Sequence, residues 1–554
     1  MRFFEASVAL GALSSLSFGV NASPIAIEND LVERQSGNTF FAITGATGGV
    51  SPRLEIRDLA NNADQFNLFV LAIQRFQSKA QDGKLSWYQV SGIHGRPYVN
   101  WDGVGPYQSN PWWPGYCPHS SNIFGTWHRP YIALYEQLMI QYANEVIGEI
   151  KDAATKTRYQ KAVGTLRFPF WDWAKQTSTG IMPPQVTSTT IRVTFPQNGT
   201  TANIPNPLYS YRFQAVPNKD FDGSYVNSQQ TTRLSNAEAN LRASYTSRRN
   251  TLLTLFSTNQ PYNNFSTDAN GNTAPNLEGI HNGVHVDVGG YMNQIAYSAF
   301  DPIFAMHHCN VDRAIAIWQK LYPSSWVTSA VQGAGTRTLA PFTNADSSTD
   351  LKPFHRDTSG TFWNSDSVRQ TTALGYTYPD LLTSSGAQIS TQQLTTNLKA
   401  AYSSTAASSA MRVASGDGTS ATTYDFLAQI VLDKTALGGQ SCAVQFILDG
   451  QNIGSFAALA LPPSPGGQTG PVTSSGTVML TDALATKGVD TSNRDATVSY
   501  LNKNLKWQVV SDGNTVKIPQ NALKVTVASA ELKPAKTNGQ FATWAAPPAA
   551  IASS

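Results

Sequence analysis

Between residues 59 and 77 apolar side chains return every three or four positions, with Phe66, Phe69, Val70, Ile73 and Phe76 on one stripe. That spacing predicts an amphipathic helix. A second helix is predicted to begin at Arg129-Pro130, since proline suits a first turn, and to run through Tyr135, Leu138, Met139, Tyr142 and Val146. A third covers about residues 278–286, and a fourth follows His308 through Val311, Ile315, Trp318 and Leu321. Past residue 382 the texture changes. Residues 383–423 are rich in Ser, Thr and Ala and read as a linker. Beyond them the period shortens to two. Val444, Phe446 and Leu448 alternate before Asp449-Gly450, Val509-Val510 and Val516/Ile518 flank Asp512-Gly513, and Leu523, Val525 and Val527 alternate again. The pattern is a mainly α domain over residues 36–382, a linker over 383–423 and a β-rich domain over 424–554.

Composition narrows the setting. The chain has 554 residues, enough for more than one domain, and is 41% hydrophobic but only 14% charged. A net charge of +3 without a basic cluster argues against nucleic acid as a partner. Arg2, an apolar and small-residue run over 3–20, and Asn21-Ala22-Ser23 have the order of a secretory signal peptide, residues 1–22, cut near Ala22. A membrane anchor is the alternative, but the run is short and broken by Gly and Ser. No later segment is long and apolar enough to cross a membrane. Residues 23–35 read as a propeptide, with Glu33-Arg34 as a processing site. Two acceptor triplets, at Asn198 and Asn264, fit a secreted or cell-wall-associated glycoprotein. Three cysteines, Cys117, Cys309 and Cys442, are too few for a disulfide framework.

Six of the eight histidines form two triplets: His94, His119 and His128, then His281, His285 and His308. Imidazole is a common ligand of oxygen-reactive copper, and three per ion leave positions open for substrate. His281 and His285, four apart, share one helix face. Alone, such a pair more often caps or packs than ligates. His307 and His308 are adjacent and face different directions, so at most one is expected to reach the same metal. His355 stands alone and reads as structural. Combined, the pieces are more specific. HNGVH at 281–285 precedes DPIFAMHHCNVDR at 301–313, and YCPHSSNIFGTWHRP occupies 116–130.

These segments closely resemble the two copper signatures of the tyrosinase family of type-3 copper proteins, over residues 52–382 and on into the C-terminal domain. The resemblance implies a four-helix-bundle dicopper core with long loops and a sandwich-like C-terminal domain. It makes His94, His119 and His128 the ligands of one copper ion, and His281, His285 and His308 those of a second, with His307 a neighbour. It implies a thioether between Cys117 and His119, as in fungal members; a buried free thiol is the alternative. Phe304 matches an aromatic packed on the second copper's histidines. Arg129, Asp312 and Arg313 read as domain-internal ion pairs. GYTY at 375–378 resembles the motif that closes the catalytic domain.

The implied reaction uses O2 as co-substrate: ortho-hydroxylation of monophenols and oxidation of o-diphenols to o-quinones, as in melanin formation or phenolic defence. A monophenol, with a pKa of about 10, must first lose its proton. Glu278 and Asn282 resemble the pair that orients a water for this; otherwise Glu278 only acidifies a helix's first turn. Ile295 is the candidate for shaping entry to the second copper. In the family the C-terminal domain plugs the cleft until a protease cuts the linker. Residues 499–507 read as a strand-and-turn segment there, with Tyr500 or an apolar neighbour as the plug. The competing readings are a catechol or o-aminophenol oxidase, a haemocyanin-like O2 carrier, and a zinc hydrolase.

Overall fold

The apolar stripe near residue 70 becomes helix α1, Ala63–Ser78, in a computed structural model that describes residues 39–269, 271, 273–403, 422–461 and 472–553. Its N-cap Asn62 accepts from the Gln65 N–H, and Leu68, Phe69, Ile73 and Phe76 are fully buried. The segments read as signal peptide and propeptide lie outside the described residues.

Helix α2, Phe124–Gly148, starts earlier than Pro130 predicts, so the proline lies inside it and His128 is helical. An interior proline costs about 3 kcal/mol. Here Phe124, Trp127, Tyr131, Ile132 and Leu134 are all buried, and burying each large apolar side chain returns roughly 1.5–3 kcal/mol. Packing therefore outweighs the local signal. Helix α3, Leu277–Val288, is capped by Asn276, whose side chain accepts from the Gly279 N–H. Helix α4, Ile303–Leu321, also starts before its predicted point and includes both His307 and His308.

The helical domain closes on Asp312. Its carboxylate accepts from Arg129 Nε at 2.6 Å and from the hydroxyls of Tyr376 and Tyr378 at 2.7 and 2.6 Å. Tyr376–Thr377 pairs in parallel with Ser51–Pro52, joining the two ends of the domain. Arg313 pairs with Asp380.

The supposed linker is partly a helix. Helix α5, Thr391–Tyr402, buries Leu394, Leu398 and Tyr402, and the Tyr402 hydroxyl donates to Asp172. Its apolar positions recur at helical spacing among Thr and Gln, which masked the signal. Residues 404–421 lie outside the described residues.

The C-terminal strands are β1 Thr423–Asp433, β2 Cys442–Leu448, β3 Gln451–Ala458, β4 Thr473–Met479, β5 Leu505–Ser511, β6 Asn514–Thr515, β7 Leu523–Lys533, β8 Thr543–Trp544 and β9 Ala549–Ser553. They form two antiparallel sheets, ordered β3-β2-β5-β6 and β4-β1-β7-β8, with β9 also on β7. Phe426, Ile430, Val444, Phe446, Val509 and Val525 from both sheets share one core. The turn at Asp512-Gly513 forms as predicted, but β6 ends before Val516. The segment 499–507 is corrected: helix α6, Arg494–Asn504, fills most of it and β5 begins at Leu505. Asn493 caps that helix by accepting from the Ala496 N–H, a start signal that outcompetes the strand-like Tyr-Leu pair. Among the described residues no helix is long and apolar enough to cross a membrane.

Candidate metal centre

All six triplet histidines are buried and meet in one place. His128 comes from α2, His281 and His285 from α3, and His308 from α4. His94 follows the short helix Trp87–Gly92, and His119 lies on irregular backbone before α2. The two sets touch: His128 stacks on His308 with centroids 4.3 Å apart, and His119 stacks on His281 at 5.7 Å.

Most of the rings are held by Nδ1. His94 Nδ1 donates to the Ile295 carbonyl at 2.8 Å, His128 Nδ1 to the Phe124 carbonyl at 2.8 Å, and His285 Nδ1 to the Met292 carbonyl at 2.6 Å. His281 Nδ1 donates to Asn282 Oδ1 at 3.0 Å, and His119 Nδ1 lies 3.4 Å from Cys117 Sγ. A donor Nδ1 leaves Nε2 with a free lone pair, the tautomer a metal needs. The Nε2 atoms of His94, His119, His128 and His285 are buried with no hydrogen-bond partner, and those of His281 and His308 face each other at 3.2 Å. Buried polar atoms normally find partners. Six converging imidazoles, four of them with idle Nε2 atoms, fit a pair of borderline-soft cations such as copper.

Three glycines make the carbonyl contacts reachable. A Cβ on Gly95 would fall 2.5 Å from Ala296 backbone, so glycine lets the His94 segment lie against 295–296. After α3, Gly289 and Gly290 take φ of 65° and 60° and turn the chain so that Met292 returns to His285.

Burial, reinforced by neighbouring imidazoles, holds His94, His119, His281 and His308 well below the ordinary 6.5. It lowers His128 to about 3 and His285 to about 4. All are therefore neutral ligands at physiological pH.

Three expectations change. His307, expected to face away, offers a ring nitrogen within 4.8 Å of those of His281, His285 and His308, and stacks on His281 at 4.9 Å. Both of its nitrogens are buried and unpartnered. Successive residues diverge at the backbone, but an imidazole is long enough for two such rings to converge. Phe304 packs on both sets, 4.2 Å from His308 and 4.9 Å from His94. Ile295 also acts on the first set, where its carbonyl holds His94.

Tyr500 is corrected as a plug. It lies on α6, and its hydroxyl donates to Asp449 within the C-terminal domain. A hairpin-turn carboxylate, not the histidines, is its partner. His355 is structural as expected: its Nδ1 donates to Asp102 and its ring is stacked between Phe40 and Phe362. Asn198 is exposed in a turn where its Oδ1 accepts from Thr200, whereas Asn264 lies in a short helix whose Ser266 is fully buried.

Glu278 is buried beside the sets. It accepts from the Ser120 N–H at 2.6 Å, the Thr267 hydroxyl at 2.8 Å and the Asp268 N–H at 3.2 Å. Burial raises its carboxyl above the usual range, and Asp268 adds to the shift. Asn282 donates to Asp268 Oδ2 at 3.0 Å, so Asp268 joins the two residues singled out for proton handling. Asp268, Ser120 and Lys434 belong to this group and carry no local motif that could have marked them.

Family models match two stretches: the common central domain of tyrosinase over residues 84–321 and the tyrosinase C-terminal domain over 425–527. A tyrosinase of Podospora anserina is 35% identical over 368 residues, covering 61% of this chain and 63% of its own. Polyphenol oxidase 2 of Agaricus bisporus is 32% identical over 363 residues, 62% and 63% of the two chains. The chain thus spans less than two thirds of these relatives' length. The structure of latent and active mushroom tyrosinase superposes with a TM-score of 0.81 at 26% identity, over 92% of this chain and 98% of that one. The holo-protyrosinase of Aspergillus oryzae, 23% identical with a TM-score of 0.69 over 91% and 97%, shares the fold.

Proposed function

The chain belongs to the tyrosinase family, and from that premise we propose that it is an exported phenol oxidase that binds two copper ions and consumes O2. It hydroxylates monophenols ortho to their hydroxyl and oxidises o-diphenols to o-quinones, and it stays latent until a protease cuts within residues 404–421. The observation that carries the reading is the set of six buried, converging imidazoles, four with idle Nε2 atoms and two whose Nε2 atoms face each other. When bound, copper supplies the one-electron chemistry with O2 and the Lewis acidity that binds a phenolate.

The chain's own residues do the rest. The carbonyls of Ile295, Phe124 and Met292 fix three ring orientations, and the Asn282 side chain fixes a fourth. Phe304, against His94 and His308, keeps water from one side of both sets. The 3.4 Å contact between Cys117 Sγ and His119 Nδ1 supports the thioether. Glu278, with Asn282, orients the water through which the phenol proton leaves. Latency is supported by the hydrogen bonds that Ser474 and Ser475 of β4 make to Asp268.

A second reading, a catechol or o-aminophenol oxidase, is favoured by one observation: both Glu278 oxygens already accept from protein donors. Oxygen uptake on a monophenol and on a catechol, before and after cleavage in 404–421, separates the two. Uptake on both substrates, appearing with cleavage, supports the first reading. Uptake on catechol alone selects the second, and equal rates before cleavage remove latency.

A further inference from the structure

A lysine from the C-terminal domain reaches into the acidic group beside the histidines. Lys434 follows β1, and its backbone N–H is fixed to the Val472 carbonyl at 2.9 Å. Its side chain is fully buried, and Nζ donates to Ser120 Oγ at 2.7 Å and lies 4.0 Å from Asp268 Oδ2. A buried ammonium is costly without a counter-charge, and Asp268, itself wholly buried, supplies one.

Ser120 is the hinge of the arrangement. It directly follows His119 and holds φ at 50°, a left-handed conformation disfavoured for a residue with a Cβ. Three contacts over-determine it. Its N–H donates to Glu278, its hydroxyl donates to Asp268 Oδ1 at 2.7 Å, and it accepts from Lys434. Asp268 is gripped again from the C-terminal domain, where Ser474 Oγ donates to its carboxylate and the Ser475 N–H to its carbonyl at 2.7 Å. Asn276 returns the grip by donating to the Ser475 carbonyl at 2.7 Å.

We infer that Lys434 is an ionic latch: it holds the C-terminal domain on the Asp268 segment and, through Ser120, positions both Glu278 and the backbone next to His119. The inhibitory contact is thus a charge set into the acidic group. Its consequence for activity rests on the oxidase reading above; the latch itself does not.

Amine acetylation of the copper-free, uncleaved chain, read by peptide mass analysis, tests the latch without phenol or metal. Lys434 should stay unmodified while exposed Lys503 and Lys506 of the same domain react, and it should become reactive once the chain is cut in 404–421 and the domain is released. Equal reactivity of Lys434 and Lys503 in the uncleaved chain overturns the proposal. In Lys434→Met, amide exchange over residues 473–479 should accelerate roughly a hundredfold, the loss of a buried pair. Adding Asp268→Asn should restore much of that protection by removing the stranded charge, which a merely disrupted fold would not show. Unchanged exchange in Lys434→Met, or a double variant looser than either single one, refutes the latch. In the copper-loaded uncleaved chain, Lys434→Met should raise catechol oxidation at least about tenfold. If exchange loosens without that rise, the domain is latched but does not inhibit, and the inhibitory part of the inference falls alone.

Discussion

The two histidine sets hold the same number of imidazoles but are built differently. His94 and His119 sit on irregular backbone, whereas His281, His285 and His308 all come from helices α3 and α4. Irregular backbone can be laid against a neighbouring segment, so His94 binds a carbonyl 201 residues away in sequence. His128, on α2, uses the Phe124 carbonyl of its own helix, whereas His281 turns to the side chain of Asn282, and Asn282 in turn to Asp268. The first set is therefore held by carbonyls and a sulfur, and the second partly by polar side chains tied to two buried acids. Those acids belong to α3 and the loop before it, yet Glu278 reaches across to Ser120, beside the first set. The buried acids thus lie on the second side and touch both.

Acid should expose what the sets share. All six imidazoles titrate below 6.5 when folded, so the unfolded chain binds more protons once the pH drops under that value. Stability of the copper-free protein is then lost as pH falls from 6.5 toward the folded values, at about 1.4 kcal/mol per pH unit for each imidazole. Six such groups acting together make the loss steep against a typical margin of about 5–15 kcal/mol. Glu278 works in the opposite sense. Its raised folded value makes a contribution that is full below 4.5 and fades as pH rises, but it is one group against six. Calorimetry of the copper-free chain should show cooperative unfolding collapse between pH 6.5 and about 4.5. A flat profile there would mean that the rings are not buried as described.

Removing one ligand from each set comes next. His94→Ala and His281→Ala should each leave about one copper per chain and abolish oxidation of every phenol, because O2 reduction needs both ions. Metal analysis beside oxygen uptake checks this. If either variant keeps two coppers and measurable turnover, His307, whose ring already lies against His281 and His285, is the substitute to examine for the second set. The first set's extra neighbour is Cys117, a buried thiol and not an imidazole, so tolerance should be greater on the second side.

The acids then separate the sets by reaction. Glu278→Gln should slow monophenol hydroxylation by about 10²–10⁴, the usual worth of a placed base, and leave catechol oxidation within a few-fold. Equal loss on both substrates would make Glu278 a structural clamp for Ser120. Full retention on monophenols would end its role in removing the phenol proton.

What could be read from residue order follows the same division. The six histidines stood out because their flanking segments are contiguous and specific. The Asp312 closure was also foreseeable, since VDR, WHR and GYTY each mark one partner. Helix starts were misplaced at Pro130 and His308 because burial of Phe124, Trp127, Ile303 and Phe304 extends both helices past the local signals. Asp268, Ser120 and Lys434 were invisible. They come together across separations of 148 and 314 residues, and a lone Asp, Ser or Lys has no spacing to betray it. Tyr500 misled for the opposite reason: an aromatic in the right domain looked sufficient, and only the fold shows that it faces Asp449.

The smallest effect tests the sulfur. Cys117 is 1% exposed, its Sγ is 3.4 Å from His119 Nδ1, and burial pushes its thiol well above the ordinary 9.0. As a free thiol it would be protonated and inert, so its contribution to the first set is mechanical, whether by contact or by a bond to the ring. Cys117→Ala removes that restraint with little change in volume, whereas Cys117→Ser would leave a hydroxyl able to bond His119 Nδ1. Loss of a ligand's outer partner typically costs 10–100-fold in metal affinity. The expected result is about tenfold weaker copper retention at one site of two, seen as biphasic release to a chelator, with oxidation rates near normal when copper is in excess. Single-phase release identical to the parent would mean that the sulfur adds nothing to its set. A mass two hydrogen atoms below the free chain, on the peptide spanning Cys117 and His119, would show that the contact has become a bond.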